Sequence, residues 1–438
     1  MRCAIARNAA MWRWMRRASP AISLPEPQAH ARQHTLSTMS GRLPAADQAG
    51  AAWPRQAFPF ALFLFAYYGY VGVFSPYASL FFAHQGMSAP QIGVLMSMMQ
   101  VMRIFGPAAW GWLADASQRR VLVLRMTAAG ALVACSGLLF GQGFAWYFTV
   151  MVAINTFTSA QGPLSEALML SSMRGDLTHY GKLRLWGSIG FIAAVTVAGE
   201  LLDRFGIVNM PWIALGLLAM VLYASLCMRE APCLPPEQDA PSVTQLMRRP
   251  EVISFFASTF LMIAAHAALY VFYSLYLSNL GYSNTLIGLM WSLGVVAEIV
   301  FFYYQAPIFR RLGVRVLMLG CLLAAVLRFL LIGLGAESLL LLVLAQVLHA
   351  ATFGTHHSAS VAMLQRWFSG PLQAQGQALY ISISYGLGGT LGGLALSAAW
   401  DAWGARSVFV LAAAASLAAV FAAALCFRFL LRRDRAAA

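Results

Sequence analysis

The chain has 438 residues, of which 60% are hydrophobic and 10% charged, where a soluble domain carries roughly 25% charged residues. Fifteen acidic and 29 basic residues cannot clothe a water-soluble surface of this size, which excludes a soluble globular protein. The formal net charge of +14 is not a nucleic-acid signature either, because the basic residues follow the connections between apolar stretches.

Residues 1–56 form a basic tail rich in Arg, Ala, Pro and Gln, with Arg2, Arg7, Arg13, Arg16 and Arg17. It lacks the apolar core of a signal peptide. The composition reads as a disordered tail, with Met39 as a later start. A surface-lying segment around Trp12–Arg17, drawn to anionic headgroups, is the alternative.

From residue 57 onward the sequence repeats one theme: about 20 apolar residues, enough to span a bilayer as a helix, then a short polar turn. The spans fall at 57–82, 90–113, 120–141, 145–170, 182–202, 209–228, 251–278, 285–308, 314–335, 338–364, 375–399 and 405–430. The expected fold is therefore all-α, a polytopic membrane protein of twelve transmembrane helices. Glycine is frequent, which suits close helix packing in lipid. Arg119, Arg120, Arg174, Arg229, Arg248, Arg249, Arg310, Arg311, Arg315 and Arg366 fall in alternate connections, and the opposite set holds Arg204 and Arg406. That bias predicts an inner-membrane protein with both termini in the cytoplasm. Cys3, Cys135, Cys227, Cys233, Cys321 and Cys426 show neither pairing nor metal-ligand spacing and read as small apolar fillers.

A shift of 195 residues lays 86–124 over 281–319. Gly86 meets Gly281, Ser88 meets Ser283, Ile92-Gly93 meets Ile287-Gly288, and the Arg-Val-Leu starting at Arg120 meets that at Arg315. The same shift pairs every span, so helices one to six correspond to seven to twelve. Six is even, so both copies cross in the same direction, giving two pseudo-symmetric six-helix bundles, a known transporter plan. The expected organisation is a tail (1–56), a first bundle (57–228), a Pro-rich cytoplasmic linker (229–250), a second bundle (251–430) and a short cytoplasmic tail (431–438).

Ionisable residues at mid-depth are costly in lipid and mark a cavity or a partner. Arg103 and Glu298 are central in their spans, and the 195-residue shift superposes them. They either neutralise each other or serve an anion and a proton separately. Arg328, His349, His356 and His266 are further candidates for substrate binding or proton coupling, and Glu166 lies in the cytoplasmic half of the fourth span. For each, a structural ion pair or interhelical hydrogen bond is the alternative. His356 and His357 are adjacent on a helix and do not face one another, so no metal site is expected, and no cofactor motif is present. Gly111, Asp115, Arg119 and Arg120 form a cytoplasmic turn in which glycine allows tight helix packing and the charges supply a latch. Arg310 stands at the position equivalent to Asp115, making the latch asymmetric. Tyr67, Tyr70, Phe74 and Tyr77 share one helix face, as cavity lining or as packing. No catalytic constellation is visible, so the chain is not read as an enzyme.

The turn GWLADASQRR (111–120) resembles the loop signature of the major facilitator superfamily, lacking the usual glycine after the aspartate. YYGYVGVFSPYASLFF (67–82), YGKLRLWGSIGF (180–191), GLMWSLGVVAEI (288–299) and AQVLHAATFGTHHSA (345–359) resemble the phenylpropionate permease branch, related to oligosaccharide and nucleoside proton symporters. The resemblance covers roughly 57–430. It implies alternating access with protons and a small-molecule substrate as partners, in a monomer embedded in the lipid bilayer. In the related lactose permease an acid in the eighth helix, an arginine in the ninth and a histidine in the tenth serve sugar binding and proton coupling, and Glu298, Arg328 and His349 or His356 look like their counterparts. The carboxylate that the pattern wants one turn after the histidine is missing, since Thr352, Phe353 and Ser360 stand there. Arg103 and Arg328 among aromatics suit an aromatic carboxylate better. Uptake of such an acid is the leading expectation, with sugar or nucleoside symport and export as alternatives.

Overall fold

The computed structural model describes residues 48–172, 177–230, 243–369 and 372–437. The tail segment around Trp12–Arg17, Met39, Cys3, Arg174, Cys233 and the middle of the expected linker lie outside them. Of the two compact units, Met1–Ala51 and Ala52–Ala438, only residues 48–51 of the first are described, and they are helical. The rest of this account concerns the second.

That unit is helical throughout, with no strand among the described residues. In chain order come α1 (Ala57–His84), α2 (Ala89–Ser117), α3 (Arg120–Leu139), α4 (Phe144–Ser172), α5 (Leu177–Phe205) and α6 (Met210–Cys227). After a short turn of helix at Thr244–Met247 follow α7 (Pro250–Asn279), α8 (Asn284–Gly335), α9 (Leu339–Trp367), α10 (Gln375–Trp403) and α11 (Ala405–Ala437). Ten helices among the described residues are long and apolar enough to cross a membrane. The spans expected at 285–308 and 314–335 lie on either side of Gly313 (φ 72°, ψ 161°), where the backbone leaves helical geometry, so α8 is two helices meeting at a kink.

The repeated sequence has a physical meaning. Gly86 (φ 79°) and Gly281 (φ 85°) take the same left-handed turn, which a side chain resists. Ser88 and Ser283 then each cap the next helix: the Ser88 N–H donates to Gln91 Oε1 at 2.9 Å, and Ser283 Oγ accepts from the Leu286 N–H at 3.2 Å. The shift also carries Gln118 (φ 54°), which ends α2, onto Gly313. So the kink in α8 sits where the first copy has a helix end.

Among the described residues three helices contain π-helical turns: Ala268–Tyr273 in α7, Ala350–Thr355 in α9 and Ile381–Gly388 in α10. Such turns leave side chains out of the regular register and occur often at functional sites. One apolar cluster is confined to residues 60–228, whereas a second runs from Tyr70 to Leu430 and binds α1–α6 to α7–α11.

Those two parts of the chain are clamped at one end. Asp203, near the end of α5, accepts from the backbone N–H groups of Asn284 and Thr285 at 2.8 Å each, and from the Thr285 hydroxyl at 2.6 Å. A carboxylate at the start of α8 also meets the positive end of its dipole. Beside it, Tyr77 donates to Val195 O at 2.9 Å, and Thr196 and Ser292 share a hydrogen bond of 2.9 Å. Gly199 and Gly288 let α5 and α8 touch, because a Cβ on either would come within 2.7 Å of the Tyr77 hydroxyl. Tyr77 is thus a seam residue, and Tyr70 and Phe74 are buried packing. At the opposite end, the ion pairs Asp115–Arg120, Glu251–Arg433 and Arg366–Asp434 each stay within one part of the chain.

Replacing Asp203 with Ala leaves the two backbone N–H groups of Asn284 and Thr285 without their acceptor, while the Thr285 hydroxyl keeps Glu200. We expect a cysteine at position 284, in an otherwise cysteine-free protein, to become more reactive to a polar maleimide in the Asp203→Ala background. Unchanged labelling would mean that Asp203 does not hold this end shut.

Candidate functional site

The ionisable residues singled out in the sequence fall at three places. The first is on the α2, α1 and α10 side. Arg103 donates to Gln100 Oε1 on its own helix at 3.2 Å, and its guanidinium lies 5.9 Å from the Tyr385 ring centre, within reach of a cation–π attraction. Tyr67 and Tyr270 also feel its charge. Four of its five N–H donors remain available. Among the described residues no carboxylate lies within ion-pair distance of Arg103, so Arg103 and Glu298 do not neutralise each other in this conformation.

The second place lies between α5 and α8. Glu298 Oε2 is 4.0 Å from His349 Nε2, and both side chains are largely buried. Gly354 makes room for it: a Cβ there would be 3.2 Å from Glu298 Cγ. The cation whose field reaches Glu298 is Arg184 of α5, which the sequence analysis did not single out. Arg184 lies over the Tyr68 ring at 4.5 Å and also feels Glu166 and Tyr180. Glu166, for its part, accepts a short hydrogen bond from the Tyr180 hydroxyl. Arg184 therefore stands between an acid of the first part of the chain and an acid of the second.

The third place is the interior of α7, α8 and α9. Arg328 is 1% exposed. Its Nε donates to Ala345 O at 2.9 Å, Nη1 to Thr352 Oγ1 at 3.0 Å and Nη2 to Gln346 Oε1 at 3.1 Å. A buried guanidinium without a carboxylate needs such acceptors, and here all three belong to α9. Thr352, the residue standing where a carboxylate was sought, serves as one of them. Next to Arg328 is a cavity of about 10 Å³ in water-centre volume, room for roughly one water. It is lined by Tyr273, Trp291, Arg328, Gln346 and His349 among others. His349 stacks on Phe353, with ring centres 5.4 Å apart. His266 lies against Phe329 and Phe353, and His356 is buried one π-helical turn beyond His349.

The turn at 111–120 is separate from these. Asp115 Oδ1 pairs with Arg120 Nη2 at 3.0 Å, and Arg119 is exposed. Gly111 does not mediate tight packing: a Cβ there would meet nothing within 4 Å. The close approaches along α2 occur at Gly93, against Ser397, and at Gly106, against Ser159. The cysteines read as fillers divide: Cys135, Cys321 and Cys426 are buried, whereas Cys227 is exposed.

A family model described as the MFS_1 like family matches residues 58–411, most of the chain. The chain belongs to the MFS_1 like family. It is a multi-pass membrane transporter of small molecules, not an enzyme. Over 309 residues it is 30% identical to the probable 3-phenylpropionic acid transporter of Escherichia coli K12, covering 69% of this chain and 80% of that protein. It is 28% identical over 287 residues to the maltose permease of Geobacillus stearothermophilus, covering 64% and 72%. The crystal structure of the nucleoside transporter NupG superposes with a TM-score of 0.74 at 18% identity, covering 85% of this chain and 99% of that one, which speaks for the fold.

Lysine at position 328 keeps the charge but cannot reach three acceptors arranged around a planar guanidinium. Losing two bonds to a charged donor, each worth ~1.5–3 kcal/mol, should lower the thermal stability of purified Arg328→Lys measurably in a detergent melt. A melting curve identical to wild type would show that α9 is held by something else.

Proposed function

We infer that this MFS transporter has twelve membrane-spanning helices in two six-helix bundles and takes up a small aromatic carboxylate with protons by alternating access. Adding α4, which is long enough but too polar to count among the ten spans, and counting α8 twice at Gly313 brings ten to twelve. Each side of the break at Gly313 has more than 20 residues, and at ~1.5 Å per residue each is long enough to cross a hydrocarbon core of ~30 Å. The basic bias of alternate connections supports an inner-membrane protein with both termini cytoplasmic and the clamped end facing outward. Isologous contacts are not needed to complete the site, so a monomer suffices.

The observation that carries the proton reading is Glu298: an acid at mid-depth, largely buried and 4.0 Å from a histidine. In lipid-embedded protein such a group is retained for a function. The 30% identity to a probable 3-phenylpropionic acid transporter supports an aromatic carboxylate as cargo. Arg103, with free donors and the Tyr385 ring beside it, supplies a counter-charge in an aromatic setting. Arg328 is committed to α9 and acts as the organiser of the helix carrying His349. Glu166 with Tyr180, and the Asp115–Arg120 turn with Arg119, belong to the gate opposite the clamp.

Purified protein in liposomes should accumulate 3-phenylpropionate when the outside is made acidic, and Glu298→Gln should abolish that accumulation. Arg103→Gln should weaken binding of the acid. If a neutral sugar or a nucleoside accumulates and the acid neither accumulates nor competes, the cargo assignment is wrong. Undiminished accumulation by Glu298→Gln would remove Glu298 from coupling.

A further inference from the structure

Buried polar atoms without a hydrogen-bond partner are rare in folded proteins, and a lipid-surrounded interior offers none from bulk solvent. Among the described residues eleven side-chain atoms are in this position, and six of them lie on α9: Gln346 Nε2, His349 Nδ1, His356 Nε2, His357 Nδ1, Ser360 Oγ and Trp367 Nε1. Two more face α9 from its neighbours, His266 Nε2 from α7 and the Tyr380 hydroxyl. The concentration on one helix is not what scattered packing defects would produce.

His266 and His349 both lie against Phe353, with ring centres 6.2 and 5.4 Å away, and His357 lies 6.3 Å from the Tyr380 ring. His266 is within electrostatic reach of both His349 and His356. Its Nδ1 is 2.9 Å from Met262 O. A carbonyl only accepts, so Nδ1 carries the proton and Nε2 presents a bare lone pair. One helical turn beyond His356 comes Ser360, with Tyr380 beside it but outside hydrogen-bond geometry. Tyr380 and Trp367 are joined through Phe255, with ring centres 6.5 and 5.2 Å away. His266, His356, Ser360 and Tyr380 are each at most 2% exposed. The charged and titratable groups around the row are Arg328 and Glu298 of α8, His357 of α9, Tyr385 in the π-helical turn of α10, and Arg184 of α5, whose field reaches His357.

We propose that this row is a proton route leading from Glu298 and His349 along α9 to the end of the molecule opposite the clamp. It rests on the proton-coupled reading above. A proton leaving the Glu298 carboxyl is taken up at His349 Nε2, and one is released from Nδ1. His356, Ser360 and Tyr380 each accept one proton and give up one through bridging water, so one proton crosses and no group is consumed. Trp367 Nε1 only donates, so it holds a water at the mouth without passing the proton on.

The test compares two transport modes of the full chain in liposomes. Proton entry coupled to external 3-phenylpropionate is followed with a trapped pH dye, and exchange of labelled for unlabelled 3-phenylpropionate is followed at equal pH. His356→Leu and Ser360→Ala should slow coupled proton entry by about tenfold or more while leaving exchange near the wild-type rate. His356→Gln, which keeps hydrogen-bonding capacity for water, should be the milder of the histidine variants. Equal loss of both modes, or loss of neither, overturns the route while wild-type coupling stands. If the wild-type protein moves no protons with the acid, the route and the proton-coupled reading fall together. Ser360→Ala removes one oxygen and adds no bulk, so it tests the route even if a His356 variant fails to fold.

Discussion

The structure turns on how ionisable groups are held where water does not reach. Arg328 shows the constraint most clearly. A guanidinium that is 1% exposed would be prohibitive in lipid without acceptors, and all three of its acceptors come from α9. The arginine thereby fixes the height and rotation of the helix that carries His349 and His356. Glu298 is then defined by what α9 places opposite it, and by Arg184 reaching across from α5. Remove the Arg328 contacts and neither histidine has a defined position.

The same arrangement links the site to the clamp. α5 carries Arg184 near one end and Asp203 near the other, and α8 carries Glu298 and the backbone N–H groups that Asp203 binds. A change of charge at Glu298 therefore acts on the two helices whose far ends hold the molecule shut. The two helices meet closely at the clamp through Gly199 and Gly288.

Much of this was legible in the sequence, for a physical reason: lipid makes both apolar length and buried charge unambiguous. The apolar runs located nearly every helix, and the cost of a mid-depth charge singled out Glu298, Arg328, His349 and Arg103. The Gly86/Gly281 and Ser88/Ser283 matches encode a turn and a cap that the structure uses in both copies. Arg184 was missed because it stands near Lys182 at the start of a span, where a basic residue reads as an interfacial anchor. The π-helical turns were invisible, since no residue type signals an extra residue per turn. Gly111 misled because a glycine's neighbour cannot be read from its spacing, and the partner of Arg103 could not be read from the repeat.

The central claim is that Glu298 takes up a proton when the acid binds. Its most direct measurement is proton uptake by purified protein in weakly buffered detergent at neutral pH on addition of 3-phenylpropionate. The account predicts uptake that saturates with the acid in wild type and is absent in Glu298→Gln although that variant still binds. Equal uptake by both proteins would contradict it.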